Sequence, residues 1–140
     1  MKKCVFIIPY FGRFNNYFPL FLQSCAQNNF FEWLIFTDDK RKFHYPDNVK
    51  VIYCSFADMQ RRIEKLPIAA RLNKPYKLCD YRPAYGYLFA EYLQDYEWWG
   101  YCDTDLIWGN IELWITKDVL DKYDKVGIHG HCTLIRNTKD

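Results

Sequence analysis

No stretch of this 140-residue sequence is apolar for long enough to cross a membrane. The apolar run Val5 to Ile8 falls far short of the roughly 18–20 residues a spanning helix needs. Its Met-Lys-Lys start superficially resembles a secretory leader, but Pro9, Gly12 and Arg13 interrupt the apolar run and no small-residue cleavage site follows. The segment therefore reads as a buried first strand of a cytoplasmic protein, at most peripheral to a membrane. Charge of one sign is also missing: 19 Lys plus Arg stand against 17 Asp plus Glu. A non-specific nucleic-acid partner, which requires a concentrated basic face, is not expected. Six cysteines are present, at positions 4, 25, 54, 79, 102 and 132, but none is spaced closely to another as in a zinc knuckle or redox motif. Several lie in strand-like apolar runs and read as reduced, buried thiols. Neither G-x-G-x-x-G nor G-x-x-x-x-G-K-[ST] occurs, which excludes the usual glycine-rich phosphate cradles. No internal repeat, low-complexity segment or evident Ser–His–Asp arrangement is found.

What is abundant is apolar and aromatic surface. Half the residues are hydrophobic, and 12 Tyr, 11 Phe and 5 Trp make up a fifth of the chain. That excludes intrinsic disorder. At this length one domain is expected, with a core that needs no covalent staples.

The order of elements points to an α/β layered fold. The continuous apolar run ending at Ile8-Pro9 predicts a strand buried on both faces. Phe31 to Thr37, Val49 to Tyr53 and Trp98 to Cys102 predict three more. A helix is expected from Phe18 or Pro19 to about Asn28. Another is expected after Ser55, with Asp58 completing its cap. A third, entered at Asp80–Pro83, should carry the stripe Tyr85, Leu88, Phe89, Tyr92 and Leu93. A short helix after Thr116 and strands at 126–128 and 132–135 complete the pattern, which predicts a mainly parallel sheet flanked by helices.

Ligands of such sheets sit beyond the carboxyl ends of the strands. Three clusters fall there: Pro9-Tyr10-Phe11, Asp38-Asp39 and Asp103-Thr104-Asp105. Two carboxylates one residue apart at a strand end can converge on Mg²⁺ or Mn²⁺, whose shell substrate phosphate and water complete. The alternative is a solvated turn. Asp38 is a candidate acceptor for a base or ribose hydroxyl, with a turn or capping role as the alternative. Lys77 and Arg82 flank Asp80; they read either as a basic pair for phosphate or as a surface ion pair at a helix entry. His129 and His131 share a strand face, but no third ligand is near, and His131 reads as a residue lining a pocket.

Together these pieces resemble the nucleotide-sugar-binding part of a GT-A glycosyltransferase. The resemblance rests on Val5-Phe6-Ile7-Ile8-Pro9-Tyr10-Phe11-Gly12, Leu34-Ile35-Phe36-Thr37-Asp38-Asp39 and Lys77-Leu78-Cys79-Asp80-Tyr81-Arg82-Pro83-Ala84. It continues through Trp99-Gly100-Tyr101-Cys102-Asp103-Thr104-Asp105 and Gly130-His131-Cys132-Thr133-Leu134-Ile135-Arg136-Asn137. The chain is most similar to an uncharacterised bacterial group associated with polysaccharide biosynthesis. The resemblance implies a GT-A-like, Rossmann-like fold and a nucleotide-diphosphate sugar donor, with UDP as the default. It also implies transfer of a hexose to a glycan acceptor. By the same resemblance, Asp103 and Asp105 hold a divalent metal (Mn²⁺ or Mg²⁺), and Pro9, Tyr10 and Phe11 line the nucleoside pocket. Asp38 sits by the base or ribose, while Lys77, Asp80, Arg82 and Thr104 attend the donor sugar or diphosphate. Such enzymes are usually longer, and their later part supplies acceptor contacts and often the catalytic base. The chain is therefore expected to be the donor-binding part of a longer enzyme. Two other classes remain open: a non-catalytic sugar-nucleotide-binding or assembly module, and a phosphoryl or nucleotidyl transferase using the same carboxylates.

Overall fold

The computed structural model describes residues 3–139. Its first elements are β1 Cys4–Tyr10, α1 Phe18–Ala26, β2 Phe31–Thr37, β3 Val49–Tyr53 and α2 Phe56–Glu64. A 3₁₀ segment, Pro75–Ala84, leads into the one-turn helix α3, Tyr85–Leu88, and a further 3₁₀ turn. Then follow β4 Trp98–Cys102, a 3₁₀ turn at Ile111–Leu113, α4 Lys117–Lys122, β5 Lys125–Val126 and β6 Cys132–Arg136.

The six strands form one sheet in the order β3-β2-β1-β4-β6-β5. The pairs β1–β2, β2–β3 and β1–β4 are parallel, whereas β6 runs antiparallel to both β4 and β5. The protein is thus α/β, with a mixed sheet in which three of the five strand pairings are parallel, as expected, and the two pairings of β6 are antiparallel. The parallel half has a clear cause. Alternate residues of β1 bury against opposite layers: Cys4, Phe6 and Ile8 meet α1 residues Phe18, Phe21 and Leu22. Val5 and Ile7 join Met59 and Ile63 of α2 and the Leu78–Leu93 region on the other face. A strand covered twice reads as a continuous apolar run. The antiparallel half depends on Gly100. A Cβ there would overlap the backbone carbonyl of Thr133, so β6 reaches β4 only because position 100 has no side chain.

The predicted helix at 85–93 is a further correction. Pro75 and Pro83 lie within the 3₁₀ segment, and α3 closes after one turn. Gly86 lowers helix propensity, and its Cα lies so close to the Trp99 indole that a Cβ would stand 2.6 Å from it. Packing on Trp99, rather than an uninterrupted helix, sets this segment. Helix α2 forms as predicted, with Ser55 and Asp58 exchanging both capping-box hydrogen bonds.

All six cysteines are unpaired with one another by disulfide. Burial pushes the Cys4 thiol up to about 12, with nearby Glu97 adding to the rise, and burial pushes Cys132 up to about 11. Such thiols are inert. No helix is long and apolar enough to cross a membrane among the described residues.

Candidate functional site

Strand order reverses at β1. The chain moves outward on one side to β2 and β3, then crosses to β4 on the other. The β1–β4 ladder ends at Ile7–Tyr101, while β1 stays paired with β2 up to Tyr10. Beyond Ile7, one side of β1 is therefore open. Pro9, which has no N–H to give a ladder, is tolerated beside this opening. The gap left between the diverging carboxyl ends is a cleft of about 730 Å³, at the position where open α/β sheets bind their ligands.

Seven of the predicted site residues line this cleft: Pro9, Tyr10, Phe11, Arg82, Asp103, Thr104 and Asp105. Asp38, Lys77 and Asp80 do not. Asp38 accepts a hydrogen bond from the Gly12 backbone (2.8 Å), and Gly12 holds a φ of 106° that favours glycine. Lys77 and Asp80 pair with each other at 3.3 Å on the surface. Residues that sequence reasoning did not assign also enter the wall, notably Asn15, Tyr17 and Tyr76. Tyr17 and Tyr76 are exposed aromatics; they lie in loop and 3₁₀ backbone, where no periodicity marks a side chain. His131 lines the cleft as expected.

Asp39 anchors the loop that carries the cleft's β1 wall. Its carboxylate accepts from the Phe14 backbone at 3.0 Å and from Arg41 at 2.5–3.1 Å, and Arg41 also reaches the Phe14 carbonyl. The Arg41 hydrogen bonds hold the Asp39 carboxyl well below the usual carboxylate range, against its burial. The folded pKa is depressed, so the stabilisation is full above the unfolded value near ~4 and is lost as pH falls through the folded one. Asp39→Asn should lower stability by about 2 kcal/mol at neutral pH. Its unfolding midpoint in urea should also fall less steeply than the wild type's as pH drops from about 5 to 2. Parallel pH profiles of the two proteins would refute this role.

On the opposite wall, Asp103 is held from both sides. Arg82 Nη2 donates to one oxygen at 2.6 Å and His131 Nδ1 lies 3.0 Å from the other. Arg82 Nη1 donates to the Gly130 carbonyl at 2.7 Å, and its guanidinium lies 5.4 Å from the Tyr101 ring centroid. Burial works against the charge on Asp103, but the hydrogen bonds from Arg82 and His131 prevail and keep its carboxyl below the usual value. Burial likewise opposes the charge on Arg82, and the Asp103 hydrogen bond and charge outweigh it. Asp105, by contrast, is exposed at the cleft, while Thr104 is buried between the two carboxylates in sequence.

Among the described residues no group of three or more His, Cys, Asp and Glu is gathered to hold a metal. The cleft instead combines one open carboxylate, one ion-paired carboxylate, a guanidinium and an imidazole with a wall of Pro9, Tyr10 and Phe11. Such a set suits a ligand that has a flat or apolar part and a polyanionic part. A second groove, of about 1110 Å³, lies at the other end of β4, against Trp99, Ile135 and Arg136.

A family model described as a family of unknown function (DUF6625) matches residues 6–140. No curated protein and no solved structure matches the chain. The match spans nearly the whole sequence, and the chain belongs to this family.

Proposed function

We propose that this member of the family binds a nucleotide-diphosphate sugar in the β1–β4 cleft and serves hexose transfer to a glycan acceptor. The observation that carries the reading is the convergence of Pro9-Tyr10-Phe11 with Arg82 and Asp103-Thr104-Asp105 on one cleft at the point where strand order reverses. Tyr10 and Phe11 give the nucleoside a wall with an aromatic component. Arg82 faces the diphosphate with a charge already fixed in place by Asp103. The donor set fits a hard cation whose shell the diphosphate and water complete: Asp105 offers an oxygen ligand at the cleft, and Mg²⁺ or Mn²⁺ needs only one or two protein carboxylates. When bound, such a cation neutralises the charge that develops on the departing diphosphate. Asp38, Lys77 and Asp80 have no part in the reading.

Calorimetric titration of UDP tests it, first with Mn²⁺ and then with chelator. Binding that requires the cation is expected. Absence of binding for UDP, GDP, CMP and dTDP in both conditions would overturn the proposal. Metal-dependent binding with no sugar transfer to any glycan would assign the chain to the class of non-catalytic sugar-nucleotide modules.

A further inference from the structure

We propose that the exposed segment 65–77 docks on an anionic lipid surface and holds the rim of the cleft against it. The proposal does not depend on the donor reading above, and it supplies a surface that neither the strand-end clusters nor the family match assigns. The segment links α2 to the 3₁₀ helix of the cleft wall. It carries Lys65, Arg71, Lys74 and Lys77, and no Asp or Glu stands between Glu64 and Asp80. In a chain whose net charge is +2, this is a local concentration of one sign.

Three leucines decide what the segment shows to solvent. Leu66, Leu72 and Leu78 are buried and join the core layer that holds Met59 and Ile63. The Leu72 carbonyl accepts from Gln60 Nε2 at 2.8 Å, and the Arg71 carbonyl accepts from the Tyr81 hydroxyl at 2.7 Å. The segment is thus a strap pinned along its length. All four cations between and beside the leucines are exposed. So are two large apolar side chains, Ile68 at 67% and Tyr76 at 81%. Tyr76 also lines the cleft, so the strap ends at its rim.

Few carboxylates answer these charges. Lys77 meets Asp80 at 3.3 Å with both side chains more than half exposed, an arrangement that adds little in water. Lys65 acts on Glu91, whose carboxylate is already paired with Arg62 at 2.6 Å. Among the described residues Arg71 and Lys74 have no ion-pair partner. Cations interleaved with exposed aliphatic and aromatic groups suit the headgroup region of a bilayer. There the ammonium and guanidinium groups meet anionic headgroups on their long stems, Ile68 enters the acyl boundary, and Tyr76 keeps its hydroxyl wet. A nucleic acid would engage the cations but leave Ile68 uncovered; a bilayer takes both.

Co-sedimentation with phosphatidylcholine vesicles, with and without phosphatidylserine, tests the surface in the absence of nucleotide and divalent cation. The protein should partition onto vesicles holding about 30% phosphatidylserine, and at least ~10-fold less onto phosphatidylcholine alone or in about 0.5 M NaCl. Arg71→Gln/Lys74→Gln should weaken partitioning about 25-fold, near fivefold for each cation removed. Ile68→Ser should weaken it about tenfold and leave its salt dependence unchanged. All three substituted residues are exposed, so the thermal midpoints should stay within about 2 °C of wild type. Lys117→Gln/Lys122→Gln is the control of equal charge. Those lysines are exposed on α4, whose Leu120 packs in the other core layer, across the sheet, and their loss should leave partitioning within about twofold. No partitioning of the wild type onto phosphatidylserine vesicles overturns the proposal. So does an equal loss in the two double variants, which would reduce the effect to net charge, or wild-type partitioning in Ile68→Ser. Failure of the donor reading looks different: the protein binds no nucleotide, yet its partitioning onto vesicles stands unchanged.

Discussion

Asp105→Ala should abolish cation-dependent UDP binding while leaving the fold intact. Asp105 is exposed at the mouth of the cleft, so truncating it removes no core contact. Its thermal midpoint should stay within about 2 °C of wild type, since surface substitutions typically change stability by no more than ~0.5 kcal/mol. Removing even an outer partner of a metal ligand costs about 10–100-fold in affinity, so loss of the ligand itself should cost at least ~100-fold. In calorimetry the Mn²⁺ and chelator titrations of the variant should coincide. Asp80→Ala is the matched control: Asp80 is also exposed, but it pairs with Lys77 away from the cleft, and its removal should leave UDP binding unchanged. Equal affinity in Asp105→Ala and wild type would remove Asp105 from the cation site.

The largest structural effect is expected at Gly100. Gly100→Val would drive a branched side chain into the backbone of Thr133 and onto the Leu134 side chain, 2.9 Å from the Cβ position. Backbone cannot rotate away as a side-chain tip can. β6 must therefore separate from β4, and the cost should reach about 3 kcal/mol or more. The consequence extends to the cleft, because β6 follows directly from the Gly130–His131 segment that contacts Arg82 and Asp103. The variant should lose both urea stability and the Mn²⁺-dependent UDP binding of the cleft. A Gly100→Val protein of wild-type stability would show that β6 does not lie against β4 in this register.

These two sites mark the boundary of what the sequence discloses. Strand β2 is legible residue for residue because burial on the sheet makes Trp33 to Phe36 a continuous apolar run, and edge strand β3, of which only Val49 is buried, because its β-branched residues stand between Pro46–Asn48 and Ser55. The cap at Ser55 is legible because its partner is three residues away. The 85–93 segment reads as one helix because its apolar spacing is helical, while what interrupts it, the contact of Gly86 with Trp99, is a tertiary fact. The direction of β6 was illegible for the same reason: an apolar run does not state which way it will pair, and the pairing rests on the space at Gly100.

The candidate site divides in the same way. Pro9-Tyr10-Phe11 and Asp103-Thr104-Asp105 are visible because each directly follows or ends an apolar strand, and the topology sets both beside one opening. Asp38 follows a strand end just as clearly but serves the Gly12 turn, since β2 lies on the far side of β1 from the opening. The Arg82–Asp103–His131 cluster joins residues 21 and 28 positions apart. No local pattern announces such a meeting, and it forms only because β6 turns back along β4.

In the proposed function a nucleotide diphosphate and its cation occupy the cleft between the ends of β1 and β4. Paramagnetic broadening by Mn²⁺ in amide NMR spectra locates that cation directly. With UDP present, broadening should centre on the amides of residues 103–105 and extend to Tyr10, Phe11 and His131, and chelator should reverse it. Broadening centred on Lys77 and Asp80, or on the groove beside Trp99 and Arg136, would place the cation outside the β1–β4 cleft and overturn the proposed function.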